Sequence, residues 1–253
     1  MSIPRKIHYV WLGDQPLPPK DEEYIKEWQR LNPDFEIRRW TEKDIDLKKY
    51  PLVKKALDEK QWAFAADIIR MYAVYKEGGI YLDTDIELVK PLESLLKYKA
   101  FACFESNFWF TTAVFGAEKH SPWIGKILKR YELGNVKQKI NTNTYLKTVH
   151  SPSVYAKDYY DLQLDGKKRV YNDEFLTLSS DYFCPKHYMT GEMHRTKNTM
   201  AIHHYASTWH SLSERIKNVC LRGVYGLLGA RGFAFLEKNF NKSMERKIRK
   251  ELP

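Results

Sequence analysis

A chain of 253 residues with 43% hydrophobic and 14% aromatic content can bury one sizeable core, which excludes a disordered polypeptide and leaves room for one domain with a small appendage. The formal net charge is +10, and three widely spaced cysteines (Cys103, Cys184 and Cys220) exclude a disulfide framework or a zinc site and fit a reducing compartment. The opening MSIPRKIHYVWLG lacks the apolar stretch of a signal peptide, and no run approaches the roughly 20 apolar residues of a membrane span, so the expected location is cytoplasmic.

Lys6 to Leu12 is a β-prone run ending at Gly13 and predicts a first strand. Asp21 to Leu31 has helical spacing and is stopped by Asn32-Pro33; Phe35 to Trp40 then alternates like a strand. A Lys-rich helical piece around Tyr50 to Lys60 leads into a longer helix from Trp62 to Tyr75, apolar on nearly every side and therefore enclosed. Gly78 and Gly79 end it, the first placed for a left-handed cap, and Ile80-Tyr81-Leu82 begins the next strand. Pro91 opens a short helical turn, Phe101–Glu105 and Thr111–Gly116 read as paired strands, and Pro122 to Tyr131 as a helix. Gly134 to Asp173 is polar and Tyr-rich with helix near Tyr155, and Phe175–Phe183 and Met200–Tyr205 read as late strands. Strands alternating with helices predict an α/β domain with a mostly parallel sheet. No repeat or linker interrupts residues 1–212, which read as one catalytic domain, with 213–253 as a basic, helical C-terminal appendage.

The chemistry concentrates between Ala65 and Glu87, AADIIRMYAVYKEGGIYLDTDIE. Asp67 and Arg70 stand three apart on one face of an apolar helix, so they pair with each other or serve a ligand. Asp83 and Asp85 leave the following strand together. Two adjacent carboxylates repel unless a divalent cation neutralises them, and hard oxygen donors suit Mn²⁺ or Mg²⁺. A D-x-D alone also occurs as two solvated acids in a turn.

The combination A-x-D-x-x-R, then Gly-Gly-x-Tyr-x-Asp-x-Asp, resembles the DXD-containing glycosyltransferases of family 32, relatives of the glucosylating domain of large clostridial toxins. The resemblance implies a GT-A-type nucleotide-sugar-binding fold and a retaining, metal-dependent transfer. It implies that Asp83 contacts ribose or reaches the metal through water, that Asp85 ligates it directly, and that Asp67 and Arg70 hold hydroxyls of the transferred sugar. It also brings Tyr81 near the nucleotide, with the indole of Trp11 stacked on the base and Val10 offering it backbone groups. His8 reads as a core or supporting histidine. Glu105 and Asn107 stand where acceptor-side polar groups tend to sit, and Thr111-Thr112 where the family often has Asn.

Ala201 to His210, AIHHYASTWH, resembles the closing His-His-x-x-x-Ser-Trp motif of the same family. Imidazole completes an Mn²⁺ set begun by carboxylates, and strand alternation sends His203 and His204 to opposite faces, so one of them binds and His203 is preferred. Ser207-Thr208-Trp209 replaces the usual Gly-Ser-Trp; a hydroxyl there faces the β-phosphate and Trp209 closes over the diphosphate.

The expected activity is hexosyl transfer from a UDP-sugar, UDP-galactose first, to a lipid-linked glycan of a surface polysaccharide such as capsule. A toxin-like protein-modifying transferase is the alternative, ahead of an aspartyl-phosphate phosphohydrolase or a non-catalytic sugar-binding protein. Ser213 to Pro253 holds ten Lys or Arg against four Glu, a net +6. With no nucleic-acid-binding motif in the chain, that excess points to an anionic membrane surface, at the inner face of the cell membrane, rather than to nucleic acid.

Overall fold

The computed structural model describes residues 2–132, 140–188, 190–206 and 239–250. The predicted elements appear in order, with two short strands between them that were not expected, Ile86–Leu88 and Arg169–Tyr171. Strand β1 (Lys6–Val10) is followed by α1 (Pro19–Leu31), β2 (Glu36–Trp40), α2 (Pro51–Asp58) and α3 (Trp62–Glu77). Next come β3 (Gly79–Leu82), β4 (Ile86–Leu88), β5 (Ala100–Phe104), β6 (Phe110–Ala117), α4 (Pro122–Lys129) and α5 (Thr142–Tyr160). Three strands complete the described domain: β7 (Arg169–Tyr171), β8 (Phe175–Leu178) and β9 (Ala201–His203).

Seven strands form one sheet in the order β2-β1-β3-β6-β5-β8-β7. β1, β2, β3, β5 and β8 run one way, while β6 and β7 run against them. Side-chain alternation sends successive residues to opposite faces. Tyr81, Ala100, Ala102 and Phe104 join α2, α3, α4 and α5 in one core; Ile80, Leu82, Phe101 and Cys103 join α1 and Met200 in the other. A separate two-stranded ribbon pairs β4 with β9 antiparallel, Ile86 opposite His203. The indole N–H of Trp28 in α1 donates to the Ile86 carbonyl at 2.8 Å and fixes this ribbon to the domain.

The Gly-Gly turn departs from the expected left-handed cap. Gly78 has φ 68° but ψ 177°, an extended ψ, and Gly79 has φ +114°. A Cβ on Gly78 would lie 2.7 Å from the Lys119 nitrogen, and one on Gly79 2.8 Å from the Lys6 carbonyl oxygen. Only glycine lets α3 reverse this tightly into β3, between β1 and β6. Two further expectations are shortened. The strand expected over Phe175–Phe183 ends at Leu178 and gives way to a 3-10 turn at Ser180–Tyr182, and the one over Met200–Tyr205 ends at His203.

Of the expected C-terminal appendage, residues 239–249 are helical and the preceding apolar, Gly-containing run GVYGLLGARGFAF lies outside the described residues. Met244 and Ile248 of this helix are buried with Trp109 and Val154 in a small third cluster. Burial of two such side chains contributes about 1.5–3 kcal/mol each. Lys157 of α5 pairs with Glu245 at 2.9 Å, and Arg249 makes a two-pronged contact with Asp158 at 2.7 and 2.8 Å.

Candidate active site

Asp83 follows β3 at the end of the sheet where β1 ends in Val10. The two strands are parallel, with His8 beside Tyr81. Ligands of open α/β sheets gather at this carboxyl edge. The turn is pinned by backbone: Asp83 N–H donates to the Ala113 carbonyl at 2.9 Å, and Ile86 N–H to the Asp83 carbonyl at 3.1 Å. Between the carboxylates, the Thr84 hydroxyl donates to Asp21 Oδ2 of α1 at 2.6 Å, a buried contact that fixes which way the turn faces. Burial raises the Asp21 pKa, against the lowering effect of that hydrogen bond.

Helix α3 delivers Asp67 and Arg70 to the same edge. The Arg70 guanidinium lies 3.2 Å from Asp67 Oδ1 and 3.3 Å from Asp83 Oδ1. It donates to the Thr112 carbonyl at 2.8 Å and to its hydroxyl at 3.1 Å. Its carbon sits 4.9 Å from the centre of the Tyr81 ring, whose hydroxyl donates to Asp83 Oδ1 at 2.7 Å. The pairing of Asp67 with Arg70 is thus real, and it extends to Asp83. Burial raises the Asp67 carboxyl to about 7 despite the arginine, and Asp67 Oδ2 is buried without a hydrogen-bond partner among the described residues.

The ribbon brings the second carboxylate to a histidine. With Ile86 opposite His203, Asp85 meets the end of β9: Asp85 Oδ2 accepts the Ala206 N–H at 2.8 Å, and its Oδ1 lies 3.5 Å from His203 Nε2. Burial works to lower the pKa of the His203 ring, but Asp85, Cys184 and Asp83 outweigh it, so the ring is raised to about 9. Its Nδ1 has no hydrogen-bond partner among the described residues. His204 faces the other way: its Nε2 meets Glu87 Oε2 at 2.8 Å and its ring stacks on Tyr24 with centroids 5.3 Å apart.

The remaining expected residues divide. Val10 packs its side chain into the core at the end of β1. Trp11 is buried and donates its indole N–H to the Gln15 carbonyl at 2.7 Å. His8 is a core histidine held between the Gly78 carbonyl at 2.7 Å and the Trp40 indole at 3.0 Å. Ser207, Thr208 and Trp209 lie outside the described residues. Asp21, Cys184 and Tyr205 were not assigned roles by sequence reasoning, whereas Glu105 was placed on the acceptor side and Thr112 at a position where the family often has Asn. Ligand atoms of Glu105, Cys184 and His203 lie within 4.8 Å of one another, and Glu105 hydrogen-bonds with Tyr205. The signal for Glu105 was a polar residue at the exit of a predicted strand.

The ligand atoms of Asp83, Asp85 and His203 also lie within 4.8 Å of one another. Two carboxylates and an imidazole whose Nε2 faces Asp85 fit a small divalent cation of the Mn²⁺ kind. Asp83 is already engaged by Arg70 and Tyr81, whereas Asp85 carries one backbone N–H and His203.

Residues 18–102 match the family model described as a glycosyltransferase sugar-binding region containing a DXD motif. Inositol phosphoceramide mannosyltransferase 3 of Schizosaccharomyces pombe is 30% identical over 132 residues, covering 51% of this chain and 37% of that protein. The subversion of eukaryotic traffic protein A of Legionella pneumophila is 28% identical over 117 residues, covering 36% of this chain and 18% of its own. These matches thus span about a third or less of each relative. Among solved structures, the PaToxG glycosyltransferase superposes with a TM-score of 0.50 at 20% identity, over 62% of this chain and 68% of that one. That likeness bears on the fold, which is the expected α/β arrangement of GT-A type. Through residues 18–102, this chain is similar to glycosyltransferases that carry a DXD-containing sugar-binding region, the likeness its motifs led us to expect.

Proposed function

We propose that the protein is a metal-dependent, retaining glycosyltransferase that moves a hexose from a nucleotide sugar to a glycan acceptor. The observation that carries this reading is the convergence of Asp83, Asp85 and His203, drawn from two separate stretches of chain, on one point at the carboxyl edge of the sheet. Asp85 and His203 would hold the cation directly, with Asp83 beside it. When bound, the cation supplies Lewis-acid neutralisation of charge on the departing diphosphate.

The other roles follow from the positions of the side chains. Asp67 and Arg70 face the edge where the sugar would lie, and the partnerless Asp67 Oδ2 is an acceptor for a sugar hydroxyl. Arg70, tied to Asp67, Asp83 and Thr112, orients both carboxylates. Tyr81 keeps Asp83 in place through its hydroxyl. Val10 and Trp11, at the end of the parallel neighbour of β3, are suited to flank the base. Such a preorganised edge lowers the barrier by holding donor and acceptor in reacting geometry.

UDP-sugars remain the favoured donors from sequence, with UDP-galactose first. The mannosyltransferase names of the relatives bring a mannose nucleotide into the same test, and a ceramide-based substrate in one of those names supports a lipid-linked acceptor. A peripheral membrane contact would serve such an acceptor. Among the described residues no helix is long and apolar enough to cross a membrane. In helix 239–249 Met244 and Ile248 are buried and Arg249 is paired, so that helix would bring lysines, Arg246 and the exposed Phe240 rather than a broad inserting face.

The test is a screen of UDP- and GDP-hexoses with Mn²⁺, reading nucleotide release with and without acceptor. Release from one donor class that vanishes in EDTA supports the proposal. No release from any of them by the full chain would sink it.

A further inference from the structure

We infer that the C-terminal helix, residues 239–249, is a positioning element of the candidate active site, holding Glu105 beside His203 through Trp109. The inference rests on the proposed transferase reading for its catalytic consequence, but its structural part stands without it.

Glu105 leaves the end of β5 and begins the five-residue turn into β6, the same carboxyl edge that carries Asp83. This turn closes on its own two ends. Glu105 N–H and Ser106 N–H both donate to one acceptor, the Trp109 carbonyl, at 2.9 and 3.4 Å. The Ser106 hydroxyl accepts the N–H groups of Phe108 and Trp109 at 3.3 and 3.2 Å. The backbone of Trp109 is therefore the post on which the position of Glu105 hangs. On the far side, the Glu105 carboxylate meets His203 and Cys184, within 4.8 Å, and Tyr205.

Trp109 is held in turn by elements distant in sequence. Its ring stacks on His150 of α5 with centroids 4.4 Å apart and is buried against Val154, Met244 and Ile248. Its indole N–H donates to Asn241 Oδ1 of the C-terminal helix, a buried contact across 132 positions of sequence. An indole N–H in an apolar cluster needs a partner, and Asn241 is the partner it has. The helix itself is anchored on α5 by the Lys157–Glu245 and Asp158–Arg249 pairs. The next residue, Phe110, donates its N–H to Ser153 of α5 at 2.8 Å. The chain of contact runs from Asn241 to Trp109, from the Trp109 carbonyl to Glu105, and from Glu105 to the His203 group.

A basic tail that merely attached the protein to a surface would not bury an asparagine against the turn bearing a carboxylate of the site. Glu105 thereby joins the polar groups a bound sugar or acceptor hydroxyl would meet beside His203. Its precise placement is what helix 239–249 would supply, since displacements near 1 Å cost about 10²-fold in reactions that depend on alignment.

Two full-length variants test this. Asn241→Leu keeps volume and removes the acceptor; Trp109→Phe keeps an apolar ring and removes the donor. Native-state hydrogen exchange should show the amides of Glu105 and Ser106 losing protection by about tenfold or more in Asn241→Leu, while amides of β3 keep theirs. In the same variant, transfer at saturating donor should fall on the order of tenfold, with the donor Kd from calorimetry within about threefold of the parent. The double variant should be no worse than the single ones, because both remove one interaction. Unchanged protection at Glu105 and Ser106 would overturn the clamp. Lost protection with undiminished transfer would overturn its role in the site. If the parent protein uses no nucleotide sugar, the proposed function fails, and the exchange measurement still decides whether the helix holds the turn.

Discussion

On the α3–β3 side of the candidate site, polar groups are largely spent on one another: Arg70 reaches Asp67, Asp83 and both acceptors of Thr112, and Tyr81 hydrogen-bonds Asp83. On the β4–β9 side, Asp85 offers one oxygen to the Ala206 N–H and the other to His203 Nε2 at 3.5 Å, a separation wider than a hydrogen bond of normal length. The first side is a web closed around Arg70, with Asp67 Oδ2 left as its one open acceptor among the described residues. The second is held open at the point where a ligand would complete it. The difference teaches that neighbouring residues of one site can be separated by what they do for stability. Substitutions on the two sides should therefore cost in different currencies.

The largest effect is expected from Arg70→Met. Removing one partner of a buried ionic web leaves the others uncompensated, at about 3–5 kcal/mol. Asp67 and Asp83 would lose their shared cation, and Thr112 its donor. Chemical denaturation with an unchanged m-value is the measurement. A loss below about 1 kcal/mol would mean that the web is not closed in the sense drawn here.

Asp85→Ala should do the reverse. Transfer should fall by at least ~10²-fold, which corresponds to about 2.7 kcal/mol of barrier, while the thermal midpoint stays within about 2–4 °C. Activity within a few-fold of the parent, with a metal still required, would remove Asp85 from the site.

What the sequence made legible follows this division. The α3–β3 side is continuous chain: an Asp and an Arg three apart in an apolar helix, two glycines, and a strand running into D-x-D. All of it can be read locally. The other side is assembled from afar, because the three-residue strand β4 was not predicted and it is the pairing of Ile86 with His203 that delivers the imidazole. The alternation of His203 and His204 followed from strand geometry, and the structure sends them to opposite faces. Thr112 was marked only by its place in the family pattern, since its carbonyl does half the work and a backbone carbonyl has no residue code. The C-terminal segment was read from its charge. Its apolar positions Met244 and Ile248 stand four apart on one helical face, but the face that receives them, Trp109 and Val154, is about a hundred residues away. The same non-locality hid the Gly78 turn, where Pro4 and Lys119 crowd the place that a Cβ would take.

A smaller effect separates the two histidines. Mn²⁺ alone, titrated by calorimetry or electron paramagnetic resonance, should bind His203→Ala at least ~10-fold more weakly than the parent, the range for disturbed metal environments. His204→Ala should bind within about twofold, because its imidazole is engaged by Glu87 and Tyr24. The opposite ranking would exchange their roles and move the open side of the site to the other face of β9.

The smallest effect is one of pH on the metal-free protein. His203 is raised to about 9 in the fold against an ordinary value near 6.5. A histidine with a raised folded pKa contributes stability that is complete below about pH 6.5 and is lost as pH climbs through 9. Asp67, raised to about 7, gives up its proton-linked contribution lower, between about pH 4 and 7. The lowered histidines, His8, His150 and His187, act in the opposite sense but finish their change around their unfolded values. The interval from about pH 7.5 to 8.5 therefore belongs mainly to His203, with the buried Cys184 thiol adding the same sign at its upper end. Over that interval the midpoint of the metal-free protein should fall by about 2–4 °C, on the order of 1 kcal/mol. In Asp85→Asn the slope should flatten, because Asp85 is the chief group holding the ring protonated against burial. Saturating Mn²⁺ should offset the fall, since a metal takes the neutral imidazole and its binding releases the proton that the fold otherwise retains. A midpoint that rises from pH 7.5 to 8.5, or a slope unchanged in Asp85→Asn, would show that His203 does not depend on Asp85, and the open side of the site would lose its organising pair.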